Sequence, residues 1–127
     1  MAEITRIYYN KLVRDNIPEM IQAKRIQCGI SQITDEQEFQ QELFKKIKEE
    51  ATSLSMTRSK EDFLKEYADL VMVLETIIHQ LDISSDELKQ ARIDNHLKKG
   101  GYKKQHFLKW SEDVDYQTDE SPQGIPI

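Results

Sequence analysis

Two stretches of this chain repeat apolar residues at helical spacing, and each sets carboxylates where hydrocarbon is expected. In the first, Phe39, Leu43, Ile47 and Leu54 form one stripe when each residue advances by about 100°. With Phe39 at zero, that stripe covers roughly 0° to 80°, and Glu50 falls inside it at about 20°. Ser53 and Glu49 fall on its flank, at about −40° and −80°. In the second stretch Phe63, Tyr67, Leu70, Leu74, Ile77 and Leu81 mark the expected core face. Glu66 sits on the rim of that face and Asp69 about 60° further round, side by side on one helix surface. Antiparallel packing of the two helices brings Glu50, Glu66 and Asp69 together, with Glu49 nearby. A buried acid without a partner is costly, so this convergence calls for a positive charge, and a divalent cation is the simplest one. Hard cations such as Mg²⁺ take oxygen ligands and complete their shell with water and phosphate. The plainer alternative makes these acids solvated rim residues, or partners of Lys46, Lys48 or Lys65; Glu-x-x-Asp alone is common in helices.

The rest of the chain supplies the frame. Residues 1–9, with Ile4, Ile7, Tyr8 and Tyr9, read as an extended start. Asn10 to Pro18 reads as a loop entering a helix over about Pro18 to Gln27, with Asp15 and Asn16 as capping oxygens and Gly29 past its end. Ile17, Met20 and Ile21 are expected to face inward. Thr34-Asp35-Glu36-Gln37 has capping-box form and starts a second helix at Thr34 that runs to about Leu54. A third helix spans about Ser59 to Gln80. Ser84-Ser85-Asp86-Glu87 is another capping box, with Ile83 and Leu88 as its staple, and the fourth helix ends at Gly100-Gly101. Tyr102, Phe107, Leu108 and Trp110 are expected to dock on the bundle. The acidic, proline-containing stretch 111–127 reads as a mobile tail after a helical domain over 1–110. The fold expected is all-α, an antiparallel bundle of about four helices. Val71, Met72, Val73 and Ile78 widen the apolar face of the third helix, which sets it at the centre of the bundle or at a subunit interface; completion of the bundle by oligomerisation is expected.

A chain of 127 residues can bury a core without staples. Its net charge of −5 argues against a general nucleic-acid binder but leaves room for a nucleotide held through a metal and a local basic cluster. The single cysteine, Cys28, excludes an internal disulfide, and no Cys/His spacing of the metal-binding kind occurs. With no charged-then-apolar leader and no apolar run near 20 residues, the expected setting is the cytoplasm rather than a membrane.

At this point a resemblance enters. Lys48-Glu49-Glu50 followed by Glu66-Tyr67-Ala68-Asp69 resembles the Glu-x-x-Glu and Glu-x-x-Asp pattern of the MazG-type all-α nucleoside triphosphate pyrophosphohydrolases. Asn10-Lys11-Leu12-Val13-Arg14-Asp15-Asn16-Ile17-Pro18 resembles the opening of their phosphoribosyl-ATP pyrophosphohydrolase-like branch. Lys98-Lys99-Gly100-Gly101-Tyr102 resembles that branch's basic Gly-Gly-aromatic segment. The three matches keep the family's order and span about residues 8 to 108. The resemblance implies a Mg²⁺-dependent enzyme, with Mn²⁺ as a substitute, that cleaves a nucleotide between its α and β phosphorus atoms. It implies Glu50, Glu66 and Asp69 as metal ligands, Glu49 as a further ligand or orienter of water, and Glu49 and Glu50 as the catalytic acids. A homodimer or homotetramer acting on surplus or non-canonical nucleotides fits the same pattern. One position departs from it: the second acid of the first pair falls at 53, where this chain has Ser53. A nucleotide-binding relative with weak or no catalysis is therefore a second reading, and a helical interaction module with acids as mere surface charge is a third.

Lys11 and Arg14 stand beside a helix N-terminus, which favours anions, so they are candidates for nucleotide phosphates or, more plainly, partners of nearby acids. Asp15 reads as a cap or an arginine partner. Lys99, Gly100 and Gly101, after Lys98, can form a phosphate-binding turn or an ordinary basic helix end, and Tyr102 can stack on a base or pack. His79, His96 and His106 have no mutual spacing that makes a site, Cys28 has no activating neighbour, and Trp110 reads as a packing anchor.

Overall fold

The computed structural model describes residues 5–112 and 120–124. Among these the chain is helical and without strands, in the order α1 (Ile17–Ala23), α2 (Glu36–Ser55), α3 (Lys60–Gln80) and α4 (Ser85–Lys99). This is the all-α class that the spacing predicts. The chain divides into two compact units, Met1–Leu88 and Lys89–Ile127. The first contains α1 to α3 and the opening of α4; the second contains the remainder of α4 and the C-terminal segment. Much of the expected tail, residues 113–119 and 125–127, lies outside the described residues, as does Ile4.

Local chemistry sets the helix ends. Ser59 caps α3 by accepting the Asp62 N–H at 3.1 Å. The Ser84 hydroxyl accepts the Glu87 N–H at 3.1 Å while the Glu87 carboxylate accepts the Ser84 N–H at 3.1 Å, the reciprocal box that the sequence predicts. The Ser84 backbone N–H, then its side chain, holds the Glu87 carboxyl below its usual range. The start of α2 corrects the sequence reading: the cap is Asp35, not Thr34. Asp35 is extended, and its carboxylate accepts the Gln37 N–H at 3.1 Å.

α1 is shorter than expected, ending at Ala23 rather than near Gln27. Arg25 takes the left-handed conformation at φ 60°, its N–H donates to the Gln22 carbonyl, and the Ile26 N–H donates to the Ile21 carbonyl. That bond pattern closes the helix four residues before Gly29. Asn16 precedes α1 without a side-chain capping bond, so the expected cap from Asp15 and Asn16 is not made. Ile17 and Ile21 are half-buried as expected, whereas Met20 is exposed. Asp82, at φ 55°, ends α3 by the same pattern, with the Ile83 N–H on the Ile78 carbonyl at 3.0 Å. Gly100, at φ 75°, ends α4 and donates its N–H to the His96 carbonyl at 2.7 Å.

α2 and α3 pack together and run antiparallel. The Gln80 side-chain amide, at the end of α3, donates to the Glu36 carbonyl at the start of α2 at 2.9 Å. Between them lie the buried side chains Leu43, Val73 and Ile77, exposed by only 5%, 8% and 7%. Leu12, Phe39 and Ile47 are partly buried against this cluster. The α2 stripe is therefore the one that its spacing predicts.

The α3 face is not. Of the six residues expected in the core, Ile77 is buried and Leu70 half-buried, but Phe63, Tyr67, Leu74 and Leu81 are exposed. Relative to Ile77, Val73 lies at about −40°, Leu70 at about 20° and Glu66 at about −20°, and it is this edge of the wide apolar surface that meets α2. Phe63, Tyr67, Leu74 and Leu81 lie at roughly 40° to 80° and face away from it. Glu66 thus moves from the rim into line with the core residues. In the second unit Tyr102, Phe107, Leu108 and Trp110, expected to dock, are exposed, Tyr102 by 96%. The segment that carries them has no helix or strand along which to align its side chains on one face.

Candidate metal centre

Beyond Ile47 on α2 and before Leu70 on α3, the two helices continue toward each other with acids in the facing positions. Glu50, Glu66 and Asp69 each offer a carboxylate oxygen, and these oxygens all lie within 4.8 Å of one another. All three residues are half-buried. Among the described residues no other group of three His, Cys, Asp or Glu side chains converges in this way. Opposite oxygens around Mg²⁺ are about 4.2 Å apart and around Ca²⁺ roughly 5 Å, so small side-chain adjustments allow these three to share one ion. The donor set is all carboxylate, the chemistry that hard cations prefer.

The charges around the trio differ in kind. Lys46, one turn back on α2, is 3.0 Å from Glu49 Oε2 and 3.8 Å from Glu50 Oε1. Its side chain is only 16% exposed and that of Glu50 17%, so this lysine is a built part of the cluster. Of the three lysines weighed from sequence as partners for the acids, it is the one that pairs with them, through the i,i+3 and i,i+4 spacing. Lys11 donates to Glu49 Oε1, and Arg14 Nη1 is 3.5 Å from Asp69 Oδ1. These two cations arrive on the segment before α1, which Leu12 pins to the core. Arg14 pairs with Asp69 rather than with its neighbour Asp15.

These contacts separate the two adjacent glutamates. Hydrogen bonds from Lys11, then Lys46, hold the Glu49 carboxyl below its usual range. The Lys11 ammonium is correspondingly held above its own, chiefly by Glu49. Burial pushes the Glu50 carboxyl up; Lys46 opposes that shift, and Asp69, Glu49 and Glu66 add to it by repulsion. Of the two, Glu50 is the acid whose charge the protein compensates less. A cation placed among Glu50, Glu66 and Asp69 would offset both its desolvation and that repulsion.

Ser53 is half-buried on α2, and its carbonyl accepts the Met56 N–H at 3.2 Å. Lys99, Gly100, Gly101 and Tyr102 belong to the second unit, where Gly100 serves as the left-handed helix stop. The ion pairs of Lys11 and Arg14 with Glu49 and Asp69, over separations of 38 and 55 residues, were beyond sequence reasoning in detail, since nothing local specifies them. Among the described residues no helix is long and apolar enough to cross a membrane. Comparison of the chain with protein-family models, with curated proteins and with solved structures finds no match.

Proposed function

We propose that this chain is a divalent-cation-dependent nucleotide pyrophosphohydrolase of the MazG type. The observation that carries this reading is the convergence of the Glu50, Glu66 and Asp69 oxygens within 4.8 Å, with Lys11 and Arg14 beside them. In this reading Glu50, Glu66 and Asp69 hold Mg²⁺ or Mn²⁺. The ion supplies charge neutralisation for the phosphates and a lowered pKa for bound water. Lys11 and Arg14 bind phosphate oxygens and orient the chain of phosphates. Glu49, kept ionised by its two lysines, retains lone pairs that can accept a hydrogen bond from the attacking water. The water oxygen bonds to phosphorus, the anhydride P–O bond between the α and β phosphorus atoms breaks, and a proton leaves to solvent. The products are a nucleoside monophosphate and pyrophosphate. Lys99, Gly100, Gly101 and Tyr102 are assigned to the substrate by the motif alone. The expected setting is the cytoplasm, and the expected role is removal of surplus or non-canonical nucleotides.

The exposed α3 stripe gives the reading its quaternary part. Phe63 and Tyr67 stack on each other with ring centroids 6.3 Å apart, and with Leu74 and Leu81 they continue the apolar surface beyond the small core. A second copy of this chain is assigned to that surface, as a homodimer or homotetramer. Sedimentation of the wild type and of Phe63→Glu tests it: the wild type is expected above monomer mass and the variant at it, and a monomeric wild type contradicts it.

Ser53 favours a second reading, nucleotide binding with little turnover, because a hydroxyl is a poorer cation ligand than the carboxylate that the family pattern has there. A panel of nucleotides with Mg²⁺ or Mn²⁺, followed by product identification, separates the two. Pyrophosphate release supports hydrolysis. Binding without release selects the second reading, and the absence of both binding and release rejects both readings.

A further inference from the structure

We propose that Lys11 and Arg14 make the acid cluster selective for a cation that arrives with phosphate over the same cation alone. This rests on the metal-site reading above and adds a selectivity to it. Among the described residues four carboxylates, Glu49, Glu50, Glu66 and Asp69, are met by three protein cations, Lys11, Arg14 and Lys46. One net negative charge is left for an incoming dication. A bare dication must share Asp69 with Arg14 or displace it, and it then lies beside two like charges with no anion between. A phosphate-bearing ligand removes both penalties, because its oxygens replace the carboxylates as partners of the ammonium and the guanidinium.

The three cations are unequal in a way that suits such an exchange. Lys46 rises from the same helix as its partners and is nearly enclosed, so it stays with Glu49 and Glu50. Lys11 and Arg14 are about half exposed, with side-chain exposures of 42% and 56%. Exposed ion pairs contribute little to stability, so releasing them is cheap. Both side chains leave the same short segment, one residue before Leu12 and two after it, and Leu12 packs on the core. The anchor fixes the segment while the two long side chains remain able to turn from acid to phosphate.

Calorimetric titration tests this, with Mn²⁺ alone and with inorganic pyrophosphate in saturating Mg²⁺ as the two probes. The proteins are the wild type, Lys11→Met, Arg14→Met, Glu66→Gln and Lys48→Met, the last removing a charge from the opposite face of α2. Mn²⁺ alone is expected to bind about two- to fivefold tighter to Lys11→Met and to Arg14→Met. Pyrophosphate is expected to bind about tenfold or more weakly to both. Lys48→Met is expected to match the wild type with either probe. Mn²⁺ affinity that is unchanged or weaker in both variants overturns the selectivity, as does an equal tightening in Lys48→Met. If Glu66→Gln loses Mn²⁺ while Lys11→Met and Arg14→Met bind it no tighter than the wild type, the metal site stands and only the selectivity falls. If no protein in the set binds Mn²⁺, the site and the selectivity fall together.

Discussion

The α2–α3 pair is closed by hydrocarbon at one end and by charge at the other. Near the start of α2 and the end of α3, Leu43, Val73 and Ile77 exclude water and the Gln80 amide ties the two helices. Toward the end of α2 and the start of α3, Glu50, Glu66 and Asp69 face one another, with Lys46 and the two cations of the N-terminal segment around them. The first end gains free energy from burial whatever the solution contains. The second end gains or loses it with protons, cations and anions. A fold that places both on one pair of helices can hold its architecture at one end while the other exchanges ligands.

Substitutions at the two ends should therefore give opposite signatures. Ile77→Ala removes hydrocarbon from the core that Ile77 forms with Leu43 and Val73 and is expected to cost about 2–4 kcal/mol, read as a lower urea midpoint. Glu66→Gln is expected to lower Mg²⁺-dependent turnover by at least about 100-fold, since losing a ligand should exceed the effect of losing an outer-shell partner. Its thermal midpoint without metal should be unchanged or higher, because one of three mutually repelling acids is gone. A fall in midpoint with intact turnover would assign Glu66 to the fold instead. At the hydrocarbon end, Asp35→Ala removes the α2 cap and is expected to cost about 1 kcal/mol with metal affinity preserved.

The smallest effect is a pH profile. The Glu50 carboxyl is raised above its ordinary 4.5, so the folded protein keeps that proton when the unfolded chain has lost it. As pH climbs from about that ordinary value through the raised one, the wild type should lose stability relative to Glu50→Gln. Above the raised value the deficit is complete and constant; below the ordinary one it vanishes. Glu49 works in the other direction: its lowered carboxyl contributes stability above the ordinary value that is lost as pH falls through the lowered one. Denaturant midpoints of wild type, Glu50→Gln and Glu49→Gln across the acid range separate the two.

What the sequence could disclose follows the range of each interaction. The Ser84–Glu87 box and the Ser59 cap are formed within three residues, and local spacing reveals them. The α2 stripe is narrow, so its buried face is unambiguous. The apolar surface of α3 is wide, and spacing alone cannot say that Val73 rather than Leu74 meets the neighbour. The convergence of the acids follows from the same periodicity once the helices are antiparallel. By contrast, Arg25 ending α1 in the left-handed region, where Gly29 looked the natural stop, has no local signature in residue type. The Lys11–Glu49 and Arg14–Asp69 pairs depend on where Leu12 docks, which is a property of the assembled core.

The most direct measurement is Mn²⁺ affinity by calorimetry for the wild type and for the combined Glu50→Gln, Glu66→Gln, Asp69→Asn variant, with helicity recorded for both. Saturable binding by the wild type, abolished in a variant of equal helicity, is the predicted result. Equal affinity in the two proteins, or none in the wild type, would contradict a cation site between α2 and α3.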